Sequence, residues 1–212
     1  MIRSPQRRAA IAAAVLSIVA AGGACAGEEE AEPPASSSDS QEPTAEPEPK
    51  DARLRARVGA VTGELRPERR RAVARAVGGA VDRWFEAAWL AGDYPRTKFG
   101  LGAFPGFTRE AAGRARADRR LLTNRVLGGR VDDVVARRRE VVVDIFSPAG
   151  RPAGATARFR MVMVTLGQAE RRVAVRGSLV LTPGPERWRI TGYDVARDVR
   201  ATKRSATKGE KS

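Results

Sequence analysis

The sequence predicts an α+β domain in which N-terminal helices pack on one face of a curved, four-stranded antiparallel sheet. The first observation behind this prediction is a run of apolar residues at three- and four-residue spacing that begins after Pro67. The second is a change to a spacing of two from Asp132 onward, which indicates strands. The third is the separation of four such stretches by short segments rich in turn residues. Helices that precede the strands in sequence are typical of α+β domains.

The first predicted element is a long amphipathic helix. Pro67 suits the first helical position, and Glu68 complements the helix dipole. Its apolar residues share one stripe: Val73, Val77, Val81, Trp84, Phe85 and Ala88. We expect the helix to end before Gly92. Gly78 and Gly79 inside it predict close packing of another element, since each glycine otherwise costs the helix about 1 kcal/mol relative to alanine.

A second, shorter helix is predicted from Thr108 to about Thr123. Thr108 is a favourable N-cap residue, and Glu110 lies in the first turn. The apolar face of this helix is small, with Ala111, Ala115, Leu121 and Leu122. We therefore expect it to lie against the edge of the sheet.

Four strands follow. In each of the first two, residues that point to one side of the sheet alternate with residues that point to the other. In the first strand, Val141, Val143 and Ile145 alternate with Val142, Asp144 and Phe146. In the second strand, Phe159, Met161 and Met163 alternate with Arg160, Val162 and Val164. Two further runs cover 172–182 and 187–195. The breaks at 148–154, 167–170 and 183–185 contain Gly or Pro and have hairpin lengths, which predicts an antiparallel meander.

Residues 1–26 have the pattern of an export signal. Arg3, Arg7 and Arg8 precede a short apolar run, and small residues surround Cys25. The segment resembles the signal of bacterial lipoproteins, which predicts lipidation at Cys25 and attachment to the outer face of the cell membrane. Cleavage after Ala26, which gives a secreted protein without lipid, is one alternative, and an uncleaved anchor is another.

The charge of the chain is unevenly distributed. Residues 27–64 are predicted to be a disordered tether rich in acidic residues, Pro and Ser, residues 65–199 a single domain, and residues 200–212 a disordered basic tail. The net charge is +14; because 1–26 carries +3 and 27–51 carries −8, residues 52–212 carry +19. A basic domain outside the membrane attracts anionic partners. The alternative is that the arginines only keep the surface solvated and reflect the arginine-rich composition typical of GC-rich genomes.

These features predict two kinds of partner besides the membrane, namely envelope proteins and anionic envelope polymers. Nucleic-acid binding is disfavoured, because the chain is predicted to be exported and has no zinc-ligand spacing or aromatic-rich strand motif.

Four segments carry a family resemblance: Ala91–Tyr94, Phe104–Thr108, Asp118–Thr123 and Trp188–Asp194. Together with the order of long helix, short helix and four-stranded sheet, they resemble exported actinobacterial members of the nuclear transport factor 2-like superfamily, the cystatin-like α+β cones. The resemblance covers about 65–198. It implies interaction more than catalysis, because the exported group includes anchored accessory proteins and proteins associated with lipid uptake. It also leaves a homodimer through the sheet face open.

Enzymes of that superfamily use an acid-base Asp or His and a Tyr or Asp donor inside the cone. This chain has no histidine, so the candidates that the resemblance offers are Asp144 and either Tyr193 or Asp194 on the last strand. The alternative for Asp144 is an ion pair with Arg158 or Arg160 on the neighbouring strand. The residues expected to line a cavity are Trp84, Asp144, Phe146, Met161, Met163 and Tyr193. No cofactor, metal ligand set or catalytic residue is predicted.

The leading hypothesis is therefore a non-enzymatic, surface-anchored interaction module of the cell envelope. A carrier or sensor of a small apolar ligand bound in the cone is the first alternative. An isomerase or dehydratase is the second.

Overall fold

A five-stranded mixed sheet is the framework of residues 51–202, the part of the chain that the computed structural model describes. Its strands lie side by side in the order β1 (Arg55–Gly63), β2 (Asp133–Ser147), β3 (Gly154–Leu166), β4 (Arg171–Pro183) and β5 (Trp188–Ala201). β1 runs parallel to β2, and the other neighbours are antiparallel. The predicted signal with Cys25, residues 27–50 of the predicted tether and residues 203–212 of the predicted tail lie outside the described residues.

The long predicted helix is present as α1 (Pro67–Phe85), which continues as a π-helical turn over Glu86–Leu90. Pro67 occupies its first position, and Glu68 lies in its first turn. The predicted apolar stripe is buried: Val73, Val77, Val81, Trp84, Phe85 and Ala88. α1 contacts β1, β2, β3 and β5, so it lies across one face of the sheet.

The second predicted helix is divided into α2 (Arg109–Ala117) and α3 (Arg119–Leu122). Thr108 caps α2 as predicted, because its Oγ1 accepts a hydrogen bond from the Ala111 N–H at 3.3 Å. The Thr108 N–H donates to the Ile190 carbonyl at 2.9 Å, and α2 contacts β5, an edge strand. The expected position at the edge of the sheet is confirmed.

The prediction of a four-stranded, wholly antiparallel sheet is wrong, because β1 adds a fifth strand parallel to β2. β1 lies within 27–64, the predicted tether. Its apolar residues pair with the buried residues of β2: Ala56, Val58 and Val61 with Val141, Val143 and Ile145 in that order. Parallel neighbours need a long connection, so no local turn marks this pair in the sequence. At the other end of the sheet, β5 extends to Ala201, into the predicted tail 200–212.

Aromatic side chains fill the space between α1 and the sheet. The ring centroid of Trp84 lies 5.4 Å from that of Phe159 and 6.3 Å from that of Phe107, both edge to face. The Phe85 ring lies 5.5 Å from the Phe159 ring. Such pairs add about 0.5 to 1.5 kcal/mol each to the free energy of burial. Trp188, at the start of β5, is also buried.

Gly78 and Gly79 differ in their surroundings. A Cβ on Gly78 would lie 2.7 Å from the Cβ of Ala56 on β1. A Cβ on Gly79 would meet only the Arg83 guanidinium, at 3.6 Å. The predicted close approach therefore occurs at Gly78, and β1 is the element that makes it.

This difference gives a matched pair of variants. We expect Gly79→Ala to raise the free energy of unfolding by about 0.5 to 1 kcal/mol, because alanine favours the helix and no backbone obstructs its methyl group. Gly78→Ala should lower it by about 1 to 3 kcal/mol, because the added methyl group displaces β1. Urea denaturation measures both changes. Equal changes in the two variants would contradict the packing of α1 on β1.

Candidate functional site

The structure does not bring together the six residues that the sequence predicts as a ligand cavity. Three belong to the core and have no exposed surface: Trp84, Met161 and Met163. Two lie on the face of β2 that points away from α1: Asp144 and Phe146. Tyr193 lies on β5, partly buried, with its ring 6.1 Å from the Phe107 ring.

Asp144 is an ion-pair partner and a backbone acceptor. Arg158 on β3 binds it through two hydrogen bonds, Nε to Oδ2 at 2.9 Å and Nη2 to Oδ1 at 3.1 Å, which confirms one of its two predicted partners. Its Oδ1 also accepts the N–H of Ala60 at 2.8 Å. Burial alone would raise the pKa of Asp144, but the hydrogen bonds from Arg158 and Ala60 outweigh burial and hold that pKa below its usual value. A carboxylate held in this way is a weak general base.

Tyr193 joins β5 to the break between α2 and α3. Its hydroxyl donates a hydrogen bond to Oδ2 of Asp118 at 2.8 Å. Burial and this hydrogen bond to a carboxylate raise the pKa of Tyr193 to about 12. The side chain thus remains protonated at neutral pH, and its hydrogen bond joins β5 to the start of α3.

A buried arginine, Arg139, is the feature of the interior that the sequence analysis missed. It lies on the inward face of β2 with 8% of its side chain exposed, and its Nη1 binds Asp82 at 3.1 Å and Glu86. Burial alone would lower the pKa of Arg139, but its bonds to the two acids raise it overall. The sequence signal was present: an arginine in register with the inward residues Val141 and Val143, and two acids four residues apart on the helix. The cluster joins β2 to the end of α1.

The face of the sheet that points away from α1, called the open face below, carries arginines from every strand. The pairing register places on it Arg55, Arg57, Arg138, Arg158, Arg160, Arg172, Arg176 and Arg200. Four acidic residues share it: Glu140, Asp144, Asp194 and Asp198. Two valines of this face, Val135 and Val162, are almost fully buried, at 5% and 2% exposure. Long arginine stems beside Val162 cover its apolar surface.

Ion pairs neutralise part of this charge. Three arginines bind acids of the open face, namely Arg138 to Glu140 at 2.8 Å, Arg158 to Asp144 at 2.9 Å and Arg200 to Asp198 at 2.8 Å. The remaining arginines form no ion pair with any residue of 51–202: Arg55, Arg57, Arg160, Arg172 and Arg176.

Four residues form a row across neighbouring strands of the open face. Arg55 pairs with Glu140, Glu140 with Arg160, and Arg160 with Arg176. These four residues are called the arginine row below. The hydrogen bond from Arg138, together with the positive charges of Arg160 and Arg55, lowers the pKa of Glu140. The row therefore holds one carboxylate among guanidinium groups.

An apolar groove adjoins the charged part of the open face. Phe146 and Val180 are 52% and 47% exposed, and they line a groove of about 320 Å³ together with Thr62, Thr156 and Thr182. This groove is on the opposite side of the sheet from Trp84. It gives Phe146 an environment different from that of the buried methionines.

Residues 51–202 contain no group of three acidic or cysteine side chains that is placed to hold a metal ion. None of the helices within 51–202 combines the length and the apolar character that crossing a bilayer requires.

Comparison of the chain with protein-family models, with curated proteins and with solved structures gives no match in any of the three.

The tyrosines give a pH-dependent test of these contacts. Burial raises the pKa of Tyr94 and is the main cause of the raised pKa of Tyr193, which is about 12 against an ordinary 10.0. As pH rises, the hydroxyl groups of both tyrosines lose their protons at a lower pH in the unfolded chain than in the native one. We therefore expect the free energy of unfolding to fall as pH rises from about 10 through 12. Urea denaturation at several pH values measures the fall, and Tyr193→Phe should reduce its slope.

Absorbance titration of tyrosinate provides the control. In the native Tyr94→Phe variant, Tyr193 should ionise near its raised value, and in guanidinium it should ionise near the ordinary one. Ionisation of native Tyr193 at its ordinary pKa would contradict the hydrogen bond to Asp118.

Proposed function

We propose that the chain is a non-enzymatic interaction module of the cell envelope whose basic domain binds anionic envelope polymers through the open face of its sheet. The observation that carries this proposal is the pairing of Arg160 with Arg176 on that face. Like charges directly opposite each other destabilise a sheet. No acid within 51–202 forms an ion pair with either residue, so an anion from outside would relieve their repulsion.

The array suits a polymer better than a single small anion. Alternate residues of one strand lie about 6.6 Å apart, and neighbouring strands lie about 4.8 Å apart. Arg158 and Arg160 are alternate residues of β3, and neighbouring members of the arginine row lie on neighbouring strands. Several weak contacts to one chain of anionic groups act together and give a high overall affinity. A second copy of the domain on the same face would bring arginines against arginines, which costs free energy.

The filled interior supports interaction over the carrier and isomerase alternatives. Both of those activities need a cavity between α1 and the sheet that could admit a ligand. Trp84, Met161 and Met163 occupy that space with no exposed surface. Asp144, the candidate base, is bound to Arg158 on the other face.

We also propose that the chain lies at the outer face of the cell membrane and belongs to the nuclear transport factor 2-like superfamily. The signal and Cys25 would attach the chain to the outer face of the cell membrane, and the acidic tether would hold the domain away from it. Membership in the nuclear transport factor 2-like superfamily is supported by the order of α1, two short helices and the antiparallel strands β2 to β5. β1 is an addition that this family assignment did not anticipate.

Two variants of the full-length chain remove equal charge at different places. Arg160→Gln with Arg176→Gln changes the open face, and Arg75→Gln with Arg83→Gln changes exposed positions of α1. We expect the first variant to bind polyphosphate and poly-L-glutamate about tenfold more weakly than the parent chain, because charge-assisted contacts are lost there. The helix variant should lose less than about threefold, because only its long-range attraction changes.

Isothermal titration calorimetry at low and at physiological salt measures these affinities. Binding should weaken as salt rises, because surface charges are screened. Equal losses in the two variants would show that net charge alone attracts the polymers. Absence of binding to either polymer at low salt would rule out the open face as a polyanion site.

A further inference from the structure

A cavity of about 410 Å³ lies at the start of β1, next to the arginine row. Its charged lining residues come from two segments far apart in the sequence: Arg53 and Arg55 from one, and Arg137, Arg138, Arg139 and Glu140 from the other. Glu140 and Arg55 are also members of the arginine row. The cavity and the row therefore form one continuous basic surface.

Backbone contacts bring the two segments together. The pairing of β2 with β3 is irregular at Arg137, as in a bulge, and bulges redirect the side chains next to them. The segment that leads into β1 is hydrogen-bonded to β2 at Ala136, the residue before this irregularity. Oδ1 of Asp51 accepts the Ala136 N–H at 2.6 Å, and the Ala52 N–H donates to the Ala136 carbonyl at 2.9 Å. Arg53 is thereby placed on the same cavity as Arg137.

The arginines of the cavity are incompletely neutralised. Glu140 binds Arg138 at 2.8 Å and holds its guanidinium in place. Arg139 binds Asp82 and Glu86 through Nη1, while its Nε is buried and has no hydrogen-bond partner among residues 51–202. Arg53, Arg55 and Arg137 form no ion pair with residues of 51–202. The lining of the cavity therefore carries more positive than negative charge.

We propose that this cavity binds a phosphate ester group of a polyol-phosphate polymer, and that the arginine row contacts the groups that follow along the polymer. This inference rests on the function proposed above and names its ligand chemistry. A phosphate presents several oxygens to several guanidinium forks, whereas a carboxylate presents two. The cavity volume is within the range of small-ligand sites, about 300 to 1,000 Å³, so it leaves room for the attached polyol.

Arginine rather than lysine supplies these contacts. Lys98 is the single lysine of residues 51–202, and it does not line the cavity. The planar guanidinium binds phosphate with two parallel hydrogen bonds, which a lysine ammonium cannot do. Phospholipid headgroups carry the same phosphate chemistry. We assign the polymer because the basic surface continues from the cavity across four strands.

The test uses the full-length chain and glycerol phosphate, with glycerate as the matched carboxylate. Calorimetry should show glycerol phosphate bound about tenfold more tightly than glycerate. Arg53→Gln with Arg137→Gln should weaken glycerol phosphate binding about tenfold, whereas the helix variant Arg75→Gln with Arg83→Gln should change it less than about twofold. Arg53→Lys with Arg137→Lys keeps the charge and should still weaken binding several-fold, because the forks are lost. Poly(glycerol phosphate) should lose affinity both in the cavity variant and in the open-face variant Arg160→Gln with Arg176→Gln.

The outcomes separate this inference from the function on which it rests. If poly(glycerol phosphate) binding depends on Arg160 and Arg176 while the cavity variants bind glycerol phosphate unchanged, the cavity assignment is wrong and the proposed function stands. If no polyanion binds, both are wrong. If phosphatidylglycerol vesicles bind the chain and poly(glycerol phosphate) does not, the polymer assignment is overturned in favour of a lipid headgroup. Circular dichroism checks that each variant is folded.

Discussion

The packing of Trp84 against Phe159 and Phe107 is the contact on which the architecture depends. It fixes the end of α1 to the middle of the sheet through side chains that are almost entirely buried. Asp82, one turn before Phe85 on the same helix, binds the guanidinium of Arg139 on β2. An apolar contact and an ionic contact thus join the same two elements. α1 covers one face of the sheet, and no helix within residues 51–202 covers the other.

The distribution of charge follows from that packing. Unpaired arginines are costly inside an apolar core. Most arginines of the strands lie on the open face, and the buried Arg139 is paired with two acids. Repulsion between them is only partly relieved by Glu140 and Asp144, which each bind one arginine. Exposed pairs of this kind contribute little to stability. These two ion pairs hold Arg138 and Arg158 in fixed positions. The guanidinium groups beside them form no ion pair with an acid of residues 51–202.

The sequence predicted the parts of the fold that local signals determine. Pro67 and Thr108 mark helix starts by backbone geometry and side-chain capping, and both helices begin where these residues predict. The strands β2 to β5 alternate and are joined by short turns, so their antiparallel order was also predictable. β1 was not, because its partner lies beyond three helices and its glycines and arginines resemble those of a linker.

The candidate site was predictable only in part, for a related reason. Neighbouring strands suggest which residues pair, and the Asp144–Arg158 contact followed from that proximity. The row from Arg55 to Arg176 depends on the register of three successive strand pairs. A shift of one residue in any of them would move a member to the other face. The inward position of Arg139 is marked by its register with Val141 and Val143, but its two acidic partners depend on how α1 packs on β2.

The most direct test of this account follows the side chains of both faces in one experiment. The full-length chain, labelled at methionine methyl groups and arginine Nε, is titrated with poly(glycerol phosphate) and observed by nuclear magnetic resonance. The Nε–H signals of Arg160 and Arg176 should move, while the methyl signals of the buried Met161 and Met163 should stay in place. Movement of the two methyl signals without movement of the arginine signals would place the ligand between α1 and the sheet, which would contradict a filled interior and an open binding face.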